Sequence, residues 1–191
     1  MSKPIRIAIV GAGLFARDVH IPAMQSLGDE FEIAAIHSRN PERVAEYAAS
    51  LPGSVDLTSD LDALLARDDI DAVDILWPIH TMPDAVRKAL NAGKHVISEK
   101  PVSPNVEAGQ ALINDYAKVS GPVWMVAENF RYEPNFRRAA ELIAEGAIGR
   151  PLLAHWVMHI GMDPQNKYYH TNWRRESHFL GGFLLDGGVH H

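Results

Sequence analysis

Cysteine is absent from all 191 residues, which removes disulfide scaffolds, thiol nucleophiles and cysteine-held metals. Basic residues are the minority charge: 18 Lys and Arg stand against 24 Asp and Glu, for a formal charge of -6. A nucleic-acid-binding face or a polybasic membrane anchor needs clustered cations, so neither partner is expected. No apolar run reaches the ~18 residues of a membrane span. The N-terminus has one short apolar run that goes straight into glycines, without the long apolar core of a signal peptide. A cytoplasmic protein is expected. Low-complexity linkers and internal repeats are also missing.

What is present is ordinary globular composition, 47% hydrophobic and 22% charged, arranged in a rhythm. The run Ile5-Arg6-Ile7-Ala8-Ile9-Val10 is β-branched, short, and ends in Gly11, the pattern of a buried strand. A helix is expected over residues 14–27, kinked or cut short by Pro22. Further strands are expected at 31–37, 72–77, 95–98 and 123–127, with helices near 43–50, 60–67, 84–91 and 104–118 between them. Strands alternating with helices mean parallel strands joined by helical crossovers, a doubly wound α/β sheet of Rossmann type. Beyond residue 130 the rhythm changes to a helix at 134–145, a long strand at 152–160 and a loop rich in histidine and aromatics. The reading is therefore two domains: 1–123, an α/β domain, and 124–191, the beginning of a second, α+β domain.

Gly11-Ala12-Gly13-Leu14-Phe15-Ala16 follows the first strand and opens the first helix. In that position the first glycine allows the tight turn, and the second lets a pyrophosphate approach the backbone. The small sixth residue lets the helix pack on the strand. Gly11, Gly13, Leu14 and Phe15 are thus candidate cofactor residues, although such glycines also serve plain tight turns. At the end of the second strand an NAD site carries an acid for the ribose 2′-hydroxyl. Here the sequence reads His37-Ser38-Arg39-Asn40. Ser38 and Arg39 suit a 2′-phosphate, which Arg binds bidentately, so NADP is favoured over NAD. The alternative is that both residues merely lead into the helix near Pro41.

Two further features could carry chemistry. Glu99-Lys100-Pro101 comes directly after a buried strand, placing Lys100 at the carboxyl edge where open α/β sheets bind ligands. Asp186 and His190 are four apart around two glycines. A helix starting near Asp186 would put both on one face, where a carboxylate and an imidazole make an acid/base pair. The competing reading is a capping aspartate and an incidental histidine. His155, His159, His190 and His191 form no recognisable ligand set, and no metal is expected.

Taken together these segments resemble the glucose-fructose oxidoreductase/inositol dehydrogenase (Gfo/Idh/MocA) family. The resemblance rests on the glycine loop and on the run Ala92-Gly93-Lys94-His95-Val96-Ile97-Ser98-Glu99-Lys100-Pro101. Asn129-Phe130-Arg131-Tyr132, Ile148-Gly149-Arg150-Pro151 and Asp186-Gly187-Gly188-Val189-His190 extend it, all in the family's order. It implies an NAD(P)-dependent dehydrogenase or reductase of a sugar, polyol or related carbohydrate, as an oligomer of like chains. Lys100 would hydrogen-bond the reacting hydroxyl and lie near the nicotinamide, as a cofactor contact too. His190 would take or return the proton, and Asp186 would orient substrate or histidine. Pro78 and Glu99 would line the cofactor crevice, Tyr132 would contact substrate, and Trp173 and Arg174 substrate or cofactor. The family also includes non-catalytic dinucleotide-binding regulators, which leaves that function open. After Pro78 the chain reads Ile79-His80-Thr81-Met82 where many relatives read Asn-x-x-His. In the family most of the second sheet follows the aspartate–histidine motif. The chain is therefore expected to be a C-terminally truncated member that binds dinucleotide but turns over little by itself.

Overall fold

The computed structural model describes residues 3–157, 159, 161, 163, 165–168, 170–171 and 180–190. They divide into two compact units, residues 1–126 and 127–191. The first unit is a six-stranded sheet of order β3-β2-β1-β4-β5-β6. Its strands are β1 (Ile5–Val10), β2 (Phe31–His37), β3 (Asp56–Thr58), β4 (Ala72–Ile75), β5 (His95–Ser98) and β6 (Trp124–Val126). Every neighbouring pair is parallel, so each crossover is made by a helical segment, as the alternating pattern requires. The order reverses between β1 and β4, the topological switch point beside which open α/β sheets bind their ligands.

β1 shows why the sheet is covered on both faces. Ile7 and Ile9 pack with Ala16, Ile21, Met24, Ile36, Val44 and Ala48. Those residues bring in α1 (Ile21–Ser26) and α2 (Glu42–Ala49). Ala8 and Val10 pack the other way, with Leu64, Leu65, Met82, Val86 and Leu112. These belong to α3 (Leu61–Leu65), α4 (Met82–Asn91) and α5 (Val106–Tyr116). The period-2 alternation of a strand thus feeds two cores, and each fully buried aliphatic side chain contributes about 1.5–3 kcal/mol.

Of the two outcomes expected of Pro22, a kink or an early end, the early end does not occur in the first helical segment. A π turn over Ala16–His20 runs straight into α1, with the Ile21 N–H donating to Ala16 O, and Pro22 sits in the first turn of α1. There its missing N–H costs little. β3 is an element the sequence reading passed over, because three residues leave too little periodicity to register.

The second unit contains a short 3-10 turn (Asn129–Tyr132), α6 (Pro134–Ala144) and α7 (Gly182–Gly188). Two expectations fail here. The long strand at 152–160 is not formed: residues 151–157 and 159 carry no strand, and 158 and 160 lie outside the described residues. Adjacent Leu152 and Leu153 are 85% and 88% exposed, so no alternating face is buried and no described strand offers them a ladder. The helix near Asp186 also starts earlier. Gly181, at φ 100, caps it, and Asp186 lies inside it. His190 follows in a turn whose N–H bonds Gly187 O at 3.4 Å. Gly187 and Gly188 are poor helix formers, so the motif closes a helix instead of opening one.

Candidate active site

The glycine loop is shaped by its surroundings. Gly11 has φ +108, and a Cβ there would meet Leu76 O at 2.9 Å, so only glycine fits. Its N–H donates to His37 O at 3.0 Å, fastening the loop to the end of β2. A Cβ on Gly13 would meet nothing within 4 Å, and Leu14 and Phe15 are exposed. A bare, open loop between a strand and a helix is the cradle a dinucleotide pyrophosphate needs. The loop therefore fits the cofactor that the sequence implies.

At the end of β2, His37 is buried against Trp77, with ring centroids 5.6 Å apart. Burial holds its imidazole below the ordinary value, and Nδ1 has no hydrogen-bond partner among the described residues. The Ser38 N–H donates to Thr58 O at 2.9 Å, and Ser38 Oγ accepts from the Asn40 N–H at 3.2 Å. Arg39 is exposed. Pro78 lies after β4, and its carbonyl accepts from the Thr81 N–H and hydroxyl, each at 2.9 Å. Ile79 and Met82 are buried. The stretch that departs from the family pattern therefore anchors α4 in the core.

β5 delivers Glu99 and Lys100. The Glu99 N–H donates to Ile75 O at 3.0 Å, and the Lys100–Pro101 peptide is cis with Pro101 buried. Glu99 is also held by a residue that the sequence reading missed. His20 Nδ1 lies 2.8 Å from Asp74 Oδ2, and His20 Nε2 lies 2.9 Å from Glu99 Oε1. A neutral imidazole has one N–H, so a ring facing a carboxylate at each nitrogen is fitted for the imidazolium. Burial pulls His20 down, but the two carboxylates outweigh it and raise the group to about 9. Burial pushes the Asp74 carboxyl up, with His20 holding it down in part. Glu99 is the second acceptor, and a carboxylate at each nitrogen suits the ring to carry the proton. Asp74 was discoverable as the lone carboxylate in a strand of apolar residues, since a charge so placed needs a partner.

The second unit holds the other candidates. His190 Nδ1 lies 2.7 Å from Glu128 Oε1 and 2.9 Å from Oε2. Phe130 stacks on the imidazole, with centroids 4.5 Å apart and planes at 25°. Glu128 Oε1 also accepts from the Phe130 N–H at 3.1 Å, so one carboxylate caps the 3-10 turn and holds the histidine. Glu128 was not picked out from the sequence. A carboxylate just before a turn reads as an ordinary cap, and His190 is too distant in sequence to suggest the pairing. Asp186 is buried and Tyr132 is exposed. Trp173 and Arg174 lie outside the described residues. Among the described residues no three His, Asp or Glu side chains are grouped to hold a metal, and no helix is long and apolar enough to cross a membrane.

The strand order and the bare glycine loop define a dinucleotide-binding fold of Rossmann type. Residues 5–127 match the model for the oxidoreductase family with an NAD-binding Rossmann fold, and residues 136–191 match the GFO/IDH/MocA C-terminal domain. The chain belongs to the Gfo/Idh/MocA oxidoreductase family. It is 40% identical over 196 residues to the dehydrogenase FPY6 of Fusarium mangiferae, covering 97% of this chain and 55% of that one. An oxidoreductase crystal structure from Thermotoga maritima superposes with a TM-score of 0.91 at 42% identity, covering 98% of this chain and 57% of the other. The scyllo-inositol dehydrogenase of Lactobacillus casei, solved with NAD(H) and scyllo-inositol, gives 0.69 at 29% identity, over 77% and 43%. The chain spans about half the length of the curated relatives it matches.

Proposed function

We propose that this chain is the cofactor-binding part, and the start of the substrate domain, of an NADP-preferring oxidoreductase that interconverts a secondary alcohol and a ketone on a sugar or polyol. The observation that carries the proposal is Lys100, set at the carboxyl end of β5, one strand beyond the switch point and on the same sheet edge as a glycine loop that fits a pyrophosphate. The likeness to a scyllo-inositol dehydrogenase supports a polyhydroxylated substrate. Boundaries of 1–123 and 124–191 for the cofactor and substrate parts belong to the same proposal.

Oxidising a secondary alcohol removes a hydride from carbon and a proton from oxygen. The nicotinamide supplies the hydride acceptor, or the donor in reverse. Lys100 hydrogen-bonds the reacting oxygen and stabilises the charge that builds there. His190 takes or returns the proton, a role for which an imidazole is matched near neutral pH. With Nδ1–H donated to Glu128, Nε2 is the nitrogen assigned to that exchange. Asp186 orients substrate or histidine. Gly11, Gly13, Leu14 and Phe15 hold the pyrophosphate segment, Ser38 and Arg39 a 2′-phosphate, and Pro78 and Glu99 line the crevice. Tyr132, Trp173 and Arg174 are assigned to substrate.

The test is turnover by the whole protein over a panel of sugars and polyols with NADP and NAD, beside Lys100→Met and His190→Ala. Lys100→Met is expected to nearly abolish turnover while dinucleotide affinity changes far less. His190→Ala is expected to slow it on the order of 10²–10⁴-fold. Dinucleotide binding with no turnover of any panel member would point to a regulator.

A further inference from the structure

We propose that His20 is a positioning residue for Lys100: from the helical segment after the glycine loop it grips Glu99, the residue next to the lysine, and so fixes the turn that carries it. The inference rests on the assignment of Lys100 above.

Asp74 is the first argument. Its side chain is 0% exposed and sits in β4, where all four residues are buried. A carboxylate in such a place costs several kcal/mol unless paired, and an apolar residue would stabilise the sheet more simply. Its Oδ2 is committed to His20, and its Oδ1 has no hydrogen-bond partner. The bond that Asp74 makes points the opposite edge of the imidazole at Glu99. Stability alone would have needed only the inner pair.

Glu99 is the second. Its side chain is 14% exposed, enough to reach water, yet it is bonded to His20. Its N–H is already registered to Ile75 O. The residue is thereby held at both main chain and side chain, and on the far side of Lys100 the buried Pro101 closes the turn. Lys100 springs from a segment fixed on either side.

The third argument is where the grip comes from. His20 is the last residue of the π turn Ala16–His20, and π turns inside helices recur at functional sites. The Phe15 ring of the glycine loop meets the His20 ring edge-on, centroids 5.3 Å apart. Asp74 from β4, Glu99 after β5 and Phe15 from the loop are the groups facing the imidazole. The same ring therefore joins the phosphate-binding segment, the core of the sheet and the lysine turn.

The experiment compares His20→Gln, Glu99→Ala and the double variant in the whole protein, reading kcat, KM for the polyol, dissociation constants for NADPH and thermal midpoints. A misplaced reacting group costs about 100-fold, so kcat is expected to fall by that order in each single variant, and in His20→Gln NADPH affinity should move far less. The double variant should be no slower than the worse single one, because both break one link. A second readout needs no turnover. In ¹⁵N NMR of histidine-labelled protein, His20 should show two protonated ring nitrogens in the native protein. Should His20→Gln fail to fold, Asp74→Asn replaces it with the same expectations. Native kcat in His20→Gln, parallel losses of kcat and NADPH affinity in that variant, or a singly protonated His20 ring would each overturn the proposal. A native protein that binds NADPH but turns over nothing would instead sink the oxidoreductase reading, and this proposal with it.

Discussion

Glu128 holds His190 by its Nδ1, at 2.7 Å to Oε1 and 2.9 Å to Oε2, across 62 positions of sequence. The arrangement fixes both the tautomer and the orientation of the ring, since the nitrogen that donates to a carboxylate cannot also be the one that exchanges protons. Glu128→Ala is expected to lower kcat about 10- to 100-fold, the usual effect of removing a group that orients a functional histidine. It should also cost ~1 kcal/mol of stability through the lost cap on the Asn129–Tyr132 turn. Steady-state kinetics and urea unfolding read the two effects separately, and unchanged kcat would show that Glu128 only caps.

Arg39 is exposed beside Ser38, with no acid in the run His37-Ser38-Arg39-Asn40. Arg39→Ala is expected to weaken NADPH binding by about 1.5–3 kcal/mol, roughly ten- to a hundredfold, and to leave NADH binding nearly as it was. Isothermal titration with both dinucleotides checks this. Equal losses, or tighter NADH binding by the native chain, would end the NADP assignment.

Gly11→Ala places a methyl 2.9 Å from Leu76 O at φ +108. Strain of about 1–2 kcal/mol is expected from the backbone alone, and the loop must shift to relieve the contact. Dinucleotide binding should be lost while circular dichroism still reports a folded sheet. Native affinity in this variant would show that the loop does not hold the cofactor.

The raised His20 group predicts a pH dependence of stability. Its folded value is about 9 against an ordinary 6.5. The imidazolium's contribution is therefore complete below pH 6.5, declines as pH rises through that interval and is gone above about 9. At about 1.4 kcal/mol per pH unit the total is at most on the order of 3 kcal/mol. Urea unfolding across that window should show the decline in the native chain and a flatter profile in His20→Gln. Parallel profiles would mean that the ring is not charged in the fold.

The sheet was legible in the sequence because its strands are buried on both faces and so appear as apolar runs set off by Gly and Pro, such as Ile5–Val10 and His95–Ser98. The glycine loop and Lys100 were legible because each directly follows such a run. His20 and Glu128 were not, since each acquires its meaning from a partner 54 or more positions away. The expected strand at 152–160 misled for a related reason: an apolar, β-branched segment states a preference, while a strand needs a neighbour to bond. The expected start of a helix at Asp186 underrated Gly181, whose left-handed backbone begins α7 earlier.

The bond from the Gly11 N–H to His37 O joins two main chains and uses neither the Ser38 nor the Arg39 side chain. The residues proposed to choose between dinucleotides are in this way separable from the part that makes the turn. On that reading, selection or a designer can rewrite the preference by exchanging Ser38 and Arg39. The loop, the switch point and the lysine turn remain where they are.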